Sequence, residues 1–131
     1  MACHYLEDSV KVYKLVNRTL SADGRFIFSV KHPVFSAKGT QDWVYGTEGK
    51  PEYWPVDNYF REGEREAVFL GCGVRKYHRT LETYIGGLLE NGFRLDRIAE
   101  PQPTQQAVRD IPGMENELRR PMMLILSATK L

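Results

Sequence analysis

Three histidines and two cysteines are the side chains in this sequence best suited to ligate a metal or move a proton. They stand as His4-Tyr5, His32-Pro33 and His78-Arg79, with Cys3 and Cys72. No two of them fall at i, i+3 or i+4, and there is no C-x-x-C pair, so the spacing argues against a metal site. Read from the residues alone, His4 and Tyr5 fit a surface pair or a satisfied core partner as well as a ligand contact. Pro33 restricts His32 to an extended conformation, which makes a turn as well as a site. His78 and Arg79 run into Thr80, a candidate N-cap with Glu82 favouring the helix dipole. The close-set Gly71-Cys-Gly73 leads into Val74-Arg-Lys-Tyr-His78, not into a helix, so no phosphate or carboxylate cradle is expected there. The alternating charges Arg61-Glu-Gly-Glu-Arg-Glu66 read as a solvated turn, and Arg119-Arg120, with Glu115 and Glu117 close by, as an exposed loop.

A second concentration of chemistry is aromatic. Between Lys38 and Glu66, glycines and prolines alternate with Trp43, Tyr45, Tyr53, Trp54, Tyr59 and Phe60. Disordered segments seldom hold so many aromatics, whereas lids and binding loops do. Rigid amphipathic rings would wall a small substrate. The competing reading is a satellite hydrophobic cluster beneath a loop.

These residues need a scaffold. Val10, Tyr13, Val16 and Leu20, widened by Val12 and Leu15, predict a helix over 9–20 with Asp8 as N-cap. Ala22-Asp-Gly24 breaks it, and the apolar run Arg25 to Val30 predicts a strand buried on both sheet faces. Glu66 to Val74 predicts one strand, weakened by its glycines. Leu81, Tyr84, Ile85, Leu88 and Leu89 predict a helix from Thr80, capped by Asn91-Gly92. Phe93 to Glu100 follows as a strand stopped by Pro101 and Pro103. A broken helical stretch over 104–118 precedes a final strand, Met122 to Ala128, antiparallel to its predecessor because so short a connection cannot supply a parallel crossover.

The 131 residues fit one domain, and 18 basic against 17 acidic residues leave a net charge of +1, too little to hold a nucleic-acid backbone or an anionic membrane. The apolar run Met122 to Leu126 is far too short to span a bilayer. With no signal peptide and no disulfide framework, a reduced, cytoplasmic protein is expected.

Five segments in order resemble the C-terminal half of a class I S-adenosylmethionine-dependent methyltransferase of the small-molecule type. They are Cys3-His-Tyr-Leu-Glu-Asp8, Asp23-Gly-Arg-Phe-Ile-Phe-Ser-Val-Lys-His-Pro33, Lys76-Tyr-His-Arg-Thr80, Glu90-Asn-Gly-Phe93 leading to Ala99-Glu-Pro-Gln-Pro103, and Arg119-Arg-Pro121. The resemblance implies an α/β fold, a partial Rossmann-like sheet retaining strands five, six and seven with flanking helices, the seventh antiparallel and between the other two. An aromatic-rich lid insertion over 38–75 completes it. It implies S-adenosylmethionine as cofactor, contacted by Cys3, His4 and Tyr5. It also implies a small-molecule substrate held by His32, Phe35, Trp43, Tyr53, Trp54, Tyr59, His78 and Arg79. Which residue is catalytic, and which atom is methylated, stays open.

The family's Gly-rich cofactor turn and ribose-binding acid are absent from the sequence. The chain therefore reads as a truncated piece of a longer enzyme, binding S-adenosylmethionine weakly or not at all and inactive alone. A homo-oligomer is expected, formed through the exposed sheet edge or the apolar Val10, Tyr13, Val16 face. The reading from a different class is a non-catalytic ligand-binding or assembly module built on the same strands and lid.

Overall fold

The computed structural model describes Ala2–Leu131. Helix α1 (Ser9–Thr19) starts at Asp8, whose carboxylate accepts a hydrogen bond from the Lys11 amide at 2.9 Å. Helix α3 (Leu81–Glu90) starts at Thr80, whose hydroxyl accepts from the Thr83 amide at 3.1 Å. The two helices cross where Tyr13 meets Gly87. A Cβ on Gly87 would lie 2.8 Å from the Tyr13 ring, so only glycine allows this approach.

Beneath them lie strands β1 (Arg25–Lys31), β6 (Phe93–Ala99) and β7 (Met123–Lys130), in the order β1-β7-β6 with both pairings antiparallel. The last strand thus sits between the other two, as the resemblance implied. Val30 pairs with Leu124, Phe28 with Leu126 and Phe26 with Ala128, which sets one apolar face against Tyr13, Tyr84 and Leu88. This is the core of the chain.

Two expectations about these elements change. β1 is not buried on both faces: Ile27, on the side of the sheet away from α1 and α3, is 62% exposed. The apolar stripe of α1 is also rotated. Val10 and Leu15 are exposed, and the buried face carries Ser9, Tyr13 and the half-buried Val16, Asn17 and Leu20. Asn17 fixes that rotation by donating from its amide to the carbonyls of Asn91 and Gly92, at 3.1 and 3.2 Å. Tyr13 is therefore committed to the chain's own core and is not available to a second copy. Phe26 and Phe28 are likewise packed on Tyr13.

Between β1 and α3 the chain forms a short helix α2 (Pro33–Ser36) and two hairpins, β2 (Val44–Tyr45) with β3 (Pro51–Tyr53), and β4 (Gly63–Phe69) with β5 (Cys72–His78). The single strand expected over 66–74 is the tip of this second hairpin. Leu70 and Gly71 both take positive φ, +51° and +78°, the two-residue turn whose twist matches that of paired strands. Leucine gives no sequence signal for such a turn. Helix α4 (Gln105–Asp110) and a 3-10 segment (Met114–Leu118) fill the connection from β6 to β7.

Candidate functional site

The short helix α2 gathers five of the eight candidate substrate residues, His32, Phe35, Trp43, Trp54 and His78, at the C-terminal end of β1. His32 is its N-cap: Nδ1 accepts from the Val34 amide at 3.1 Å, so the ring proton lies on Nε2, which donates to Glu100 at 2.8 Å. Burial lowers the pKa of His32 despite the raising effect of Glu100. Ser36, at the other end of α2, donates its hydroxyl to Nδ1 of His78 at 2.7 Å. His78 is fully buried, and its Nε2 donates to the Tyr59 carbonyl at 2.7 Å. Both nitrogens of both histidines are thus committed within the protein.

Phe35 stacks on Trp54 at 4.5 Å between centroids, and Trp43 meets Trp54 edge-on at 5.3 Å. These three rings therefore form one cluster, and the space between them is filled. The guanidinium of Arg120 lies 4.3 Å from the Trp54 ring, 4.8 Å from Phe35 and 5.2 Å from Trp43. Arg120 also makes two hydrogen bonds to the Glu117 carboxylate, at 2.7 and 3.1 Å. The expectation of an exposed Arg119-Arg120 loop fails for Arg120, which the rings enclose. Arg119 donates to the Pro51 and Glu52 carbonyls, tying the same loop to β3.

The remaining candidates separate from this cluster. Tyr59 accepts at its hydroxyl from the Leu81 amide and so supports the start of α3, while Tyr53 is 55% exposed. Glu62, from the charge run read as a solvated turn, accepts from both the amide and the hydroxyl of Thr80, so this run also braces α3. Arg79 is buried and donates to the carbonyls of Leu6 and Glu7, both at 2.6 Å, fastening the chain before α1 to the start of α3. His78 and Arg79 nevertheless border a cleft of about 340 Å³ that also carries Glu7, Glu62 and Glu64. A larger cavity, of about 610 Å³, is lined by prolines and methionines from Pro101 to Met123 and contains none of the candidate residues.

A 3-10 turn, Cys3–Tyr5, packs against β1 and β5. His4 is 3% exposed, and neither ring nitrogen has a hydrogen-bond partner. Desolvation, then the charges of Lys76 and Lys31, hold its pKa down at about 4, so the ring is neutral at pH 7. Burial likewise pushes the Cys3 thiol up, against the lowering effect of Arg79. Tyr5 is half exposed, its ring 4.2 Å from that of His4. Gly71 and Gly73 sit in open space at a hairpin tip.

No family model matches the sequence. Among curated proteins, one from Haemophilus influenzae with no assigned function is 28% identical over 98% of this chain, which spans about half (51%) of its length. Among solved structures, a candidate S-adenosylmethionine-dependent methyltransferase from Listeria monocytogenes is 49% identical with a TM-score of 0.93, covering 100% of this chain and 59% of its own. An S-adenosylmethionine-dependent methyltransferase from Mesorhizobium loti is 36% identical with a TM-score of 0.86, covering 99% of this chain and 58% of its own. The glycopeptide N-methyltransferase MtfA, bound to S-adenosylhomocysteine, shares the fold alone, at 14% identity and a TM-score of 0.51. From one end to the other, the chain is similar to a part of S-adenosylmethionine-dependent methyltransferases, in keeping with their C-terminal half, and its mixed α/β fold is theirs.

Proposed function

We propose that the chain is the substrate-side half of an S-adenosylmethionine-dependent methyltransferase acting on a small molecule, with 38–75 as the wall of the acceptor site. The cofactor-binding half lies in sequence outside the 131 residues. One observation carries this reading: a whole-length likeness to methyltransferases at 49% identity coincides with candidate residues gathered around one strand end. Open α/β sheets place ligands at that rim.

The residues fit the cofactor in part. His4 brings to the rim a buried imidazole with two unpartnered nitrogens, and Tyr5 an accessible ring. Among the described residues, no glycine turn leads into an α-helix N-terminus that would hold the cofactor's other end. When bound, S-adenosylmethionine supplies an activated methyl group on a sulfonium. The protein then contributes alignment and exclusion of water. Neutral His4 has a lone pair free to accept a hydrogen bond from an acceptor that must lose a proton, a role closed to His32 and His78 by their internal bonds.

The outer edge of β1, unpaired among the described residues, and the exposed face around Ile27 are where the missing half or a second copy would pack. Calorimetric titration with S-adenosylmethionine tests the division. Weak or no binding is expected for the 131 residues, and micromolar binding once the upstream coding sequence is joined in frame. Tight binding by the 131 residues alone would overturn it.

A non-catalytic module remains the second reading, favoured by the filled aromatic cage: Arg120 occupies the wall that a substrate would use. It gains if the extended protein also fails to bind the cofactor.

A further inference from the structure

Two lysines within the methyltransferase-like segments have so far no role. Lys31 closes β1, Lys76 lies on β5, and the turn holding His4 packs against both strands. Lys76 is 5% exposed, and its ammonium has a single distant hydrogen-bond partner, Gln41 Oε1 at 3.5 Å. The Lys31 ammonium stands 4.5 Å from the centroid of Phe35, the ring that also faces Arg120. Arg120 is neutralised by Glu117, but neither lysine forms an ion pair among the described residues. Beside them, His4 has both nitrogens unpartnered, and Nε2 of Gln41 is buried without a partner as well.

Removing an ammonium from water without a counter-charge is unfavourable by several kcal/mol even after the surroundings relax. Lys76 is such a group, and the half-buried Lys31 adds a second positive charge that acts on the same field. Each ammonium faces one aromatic ring, Lys31 that of Phe35 and Lys76 that of Phe69 at 5.6 Å, which offsets only part of that cost. Desolvation lowers the pKa of both lysines, and Lys31 is lowered further by Lys76 and Arg120 against the raising effect of Glu117. The lysines and His4 thus share one field, which a bound anion would relieve.

We propose that Lys31 and Lys76 form an anion subsite for a carboxylate or phosphate on the methyl acceptor, with His4 and the Gln41 amide as further hydrogen-bonding groups. This rests on the methyltransferase reading and names the substrate class: a small molecule carrying a negative charge. The reactive centre of the methyl donor is itself a cation and gains nothing from two lysines. Its carboxylate is the one competing source of negative charge.

The test uses the 131-residue chain without methyl donor, so it does not depend on cofactor binding. Thermal unfolding is followed with inorganic phosphate, with benzoate, with S-adenosylhomocysteine, and with sodium chloride at equal ionic strength. A saturable rise in Tm beyond the salt control is expected with phosphate or benzoate, and the stronger arm identifies the anion. Lys31→Met and Lys76→Met should each weaken that binding tenfold or more, yet melt at or above the parent when no anion is present, since a buried unpaired charge has gone.

Three results would overturn the subsite: anion effects equal in parent and variants, a lower Tm for Lys76→Met without anion, or a lysine-dependent shift with S-adenosylhomocysteine. The last would assign the lysines to the donor. Loss of cofactor binding in the extended protein, with anion binding intact, would instead sink the methyltransferase reading alone.

Discussion

The three-stranded sheet with α1 and α3 and the segment between β1 and α3 are held together by different physics. In the first, Val30, Leu88, Leu124 and Leu126 are fully buried and the contacts are apolar side chains on a regular lattice of strands. In the second, polar side chains reach backbone carbonyls and each other, Arg65 to Ala37 and His78 to Tyr59 and Ser36, and Arg120 enters its aromatic cage from the β6–β7 connection, held by Glu117. Apolar burial is non-directional and tolerant of salt and pH. Hydrogen-bonded histidines and caged cations depend on protonation and geometry. The difference sets a scaffold insensitive to protonation beside a segment that depends on it.

The largest effect should come from the scaffold. Leu126→Ala opens a cavity in the buried cluster, for a loss of about 2–5 kcal/mol in chemical denaturation. Far-UV dichroism and tryptophan fluorescence should then report one shared transition. If the tryptophans, all in the insertion, melt separately, the two regions are less coupled than their packing indicates.

Acid should act first on the histidines of the insertion and on His4, whose turn packs against β5 of that insertion as well as β1. The pKa of His4 is about 4 against an ordinary 6.5. The unfolded chain therefore binds more protons than the folded one between those values. Stability is full above pH 6.5 and is lost as pH falls toward 4, by about 3 kcal/mol for the complete shift. His32 and His78, also lowered by burial, add loss in the same direction. Hydrogen exchange at pH 5 should show amides of 32–78 opening before those of β7. Uniform opening would erase the distinction.

Arg120→Leu removes the charge from the cage and leaves Glu117 without its partner, for about 2 kcal/mol. Tryptophan emission should shift to the red while the sheet's amide protection is retained. Smallest of the four is Thr80→Ala, which deletes the cap of α3 for about 1 kcal/mol. Its effect should be global, since α3 belongs to the core. A loss confined to the insertion would place α3 on the wrong side of the comparison.

The legibility of the two regions follows the same line. α1 and α3 were readable because their caps, Asp8 and Thr80, lie three residues from the amides they satisfy. β1, β6 and β7 were readable as apolar runs between turn residues, and their order from the five family-like segments. The rotation of α1 was not readable, because it is set by Asn17 reaching across 74 residues to Asn91. Arg120 looked like half of an exposed basic pair, since nothing adjacent to it announces three aromatic rings. Lys31 and Lys76 lie just past the apolar runs that signal strands and just before His32 and His78, so no local pattern marks them as buried or half-buried.

By itself, the sequence determined that α1 and α3 are helical and β1, β6 and β7 extended and, through the order of its motifs, which fold they build. Caps, breakers and periodicity act within a few residues, where the chain's own covalent geometry already limits the choices. Only the tertiary structure decided how the chemistry is distributed. Ser36 meets His78 across 42 residues, and His32 meets Glu100 across 68. Those contacts tie up two histidines and leave the third buried with both nitrogens unpartnered beside two unpaired lysines. A side chain's partners and its desolvation are properties of packing, which no local pattern encodes.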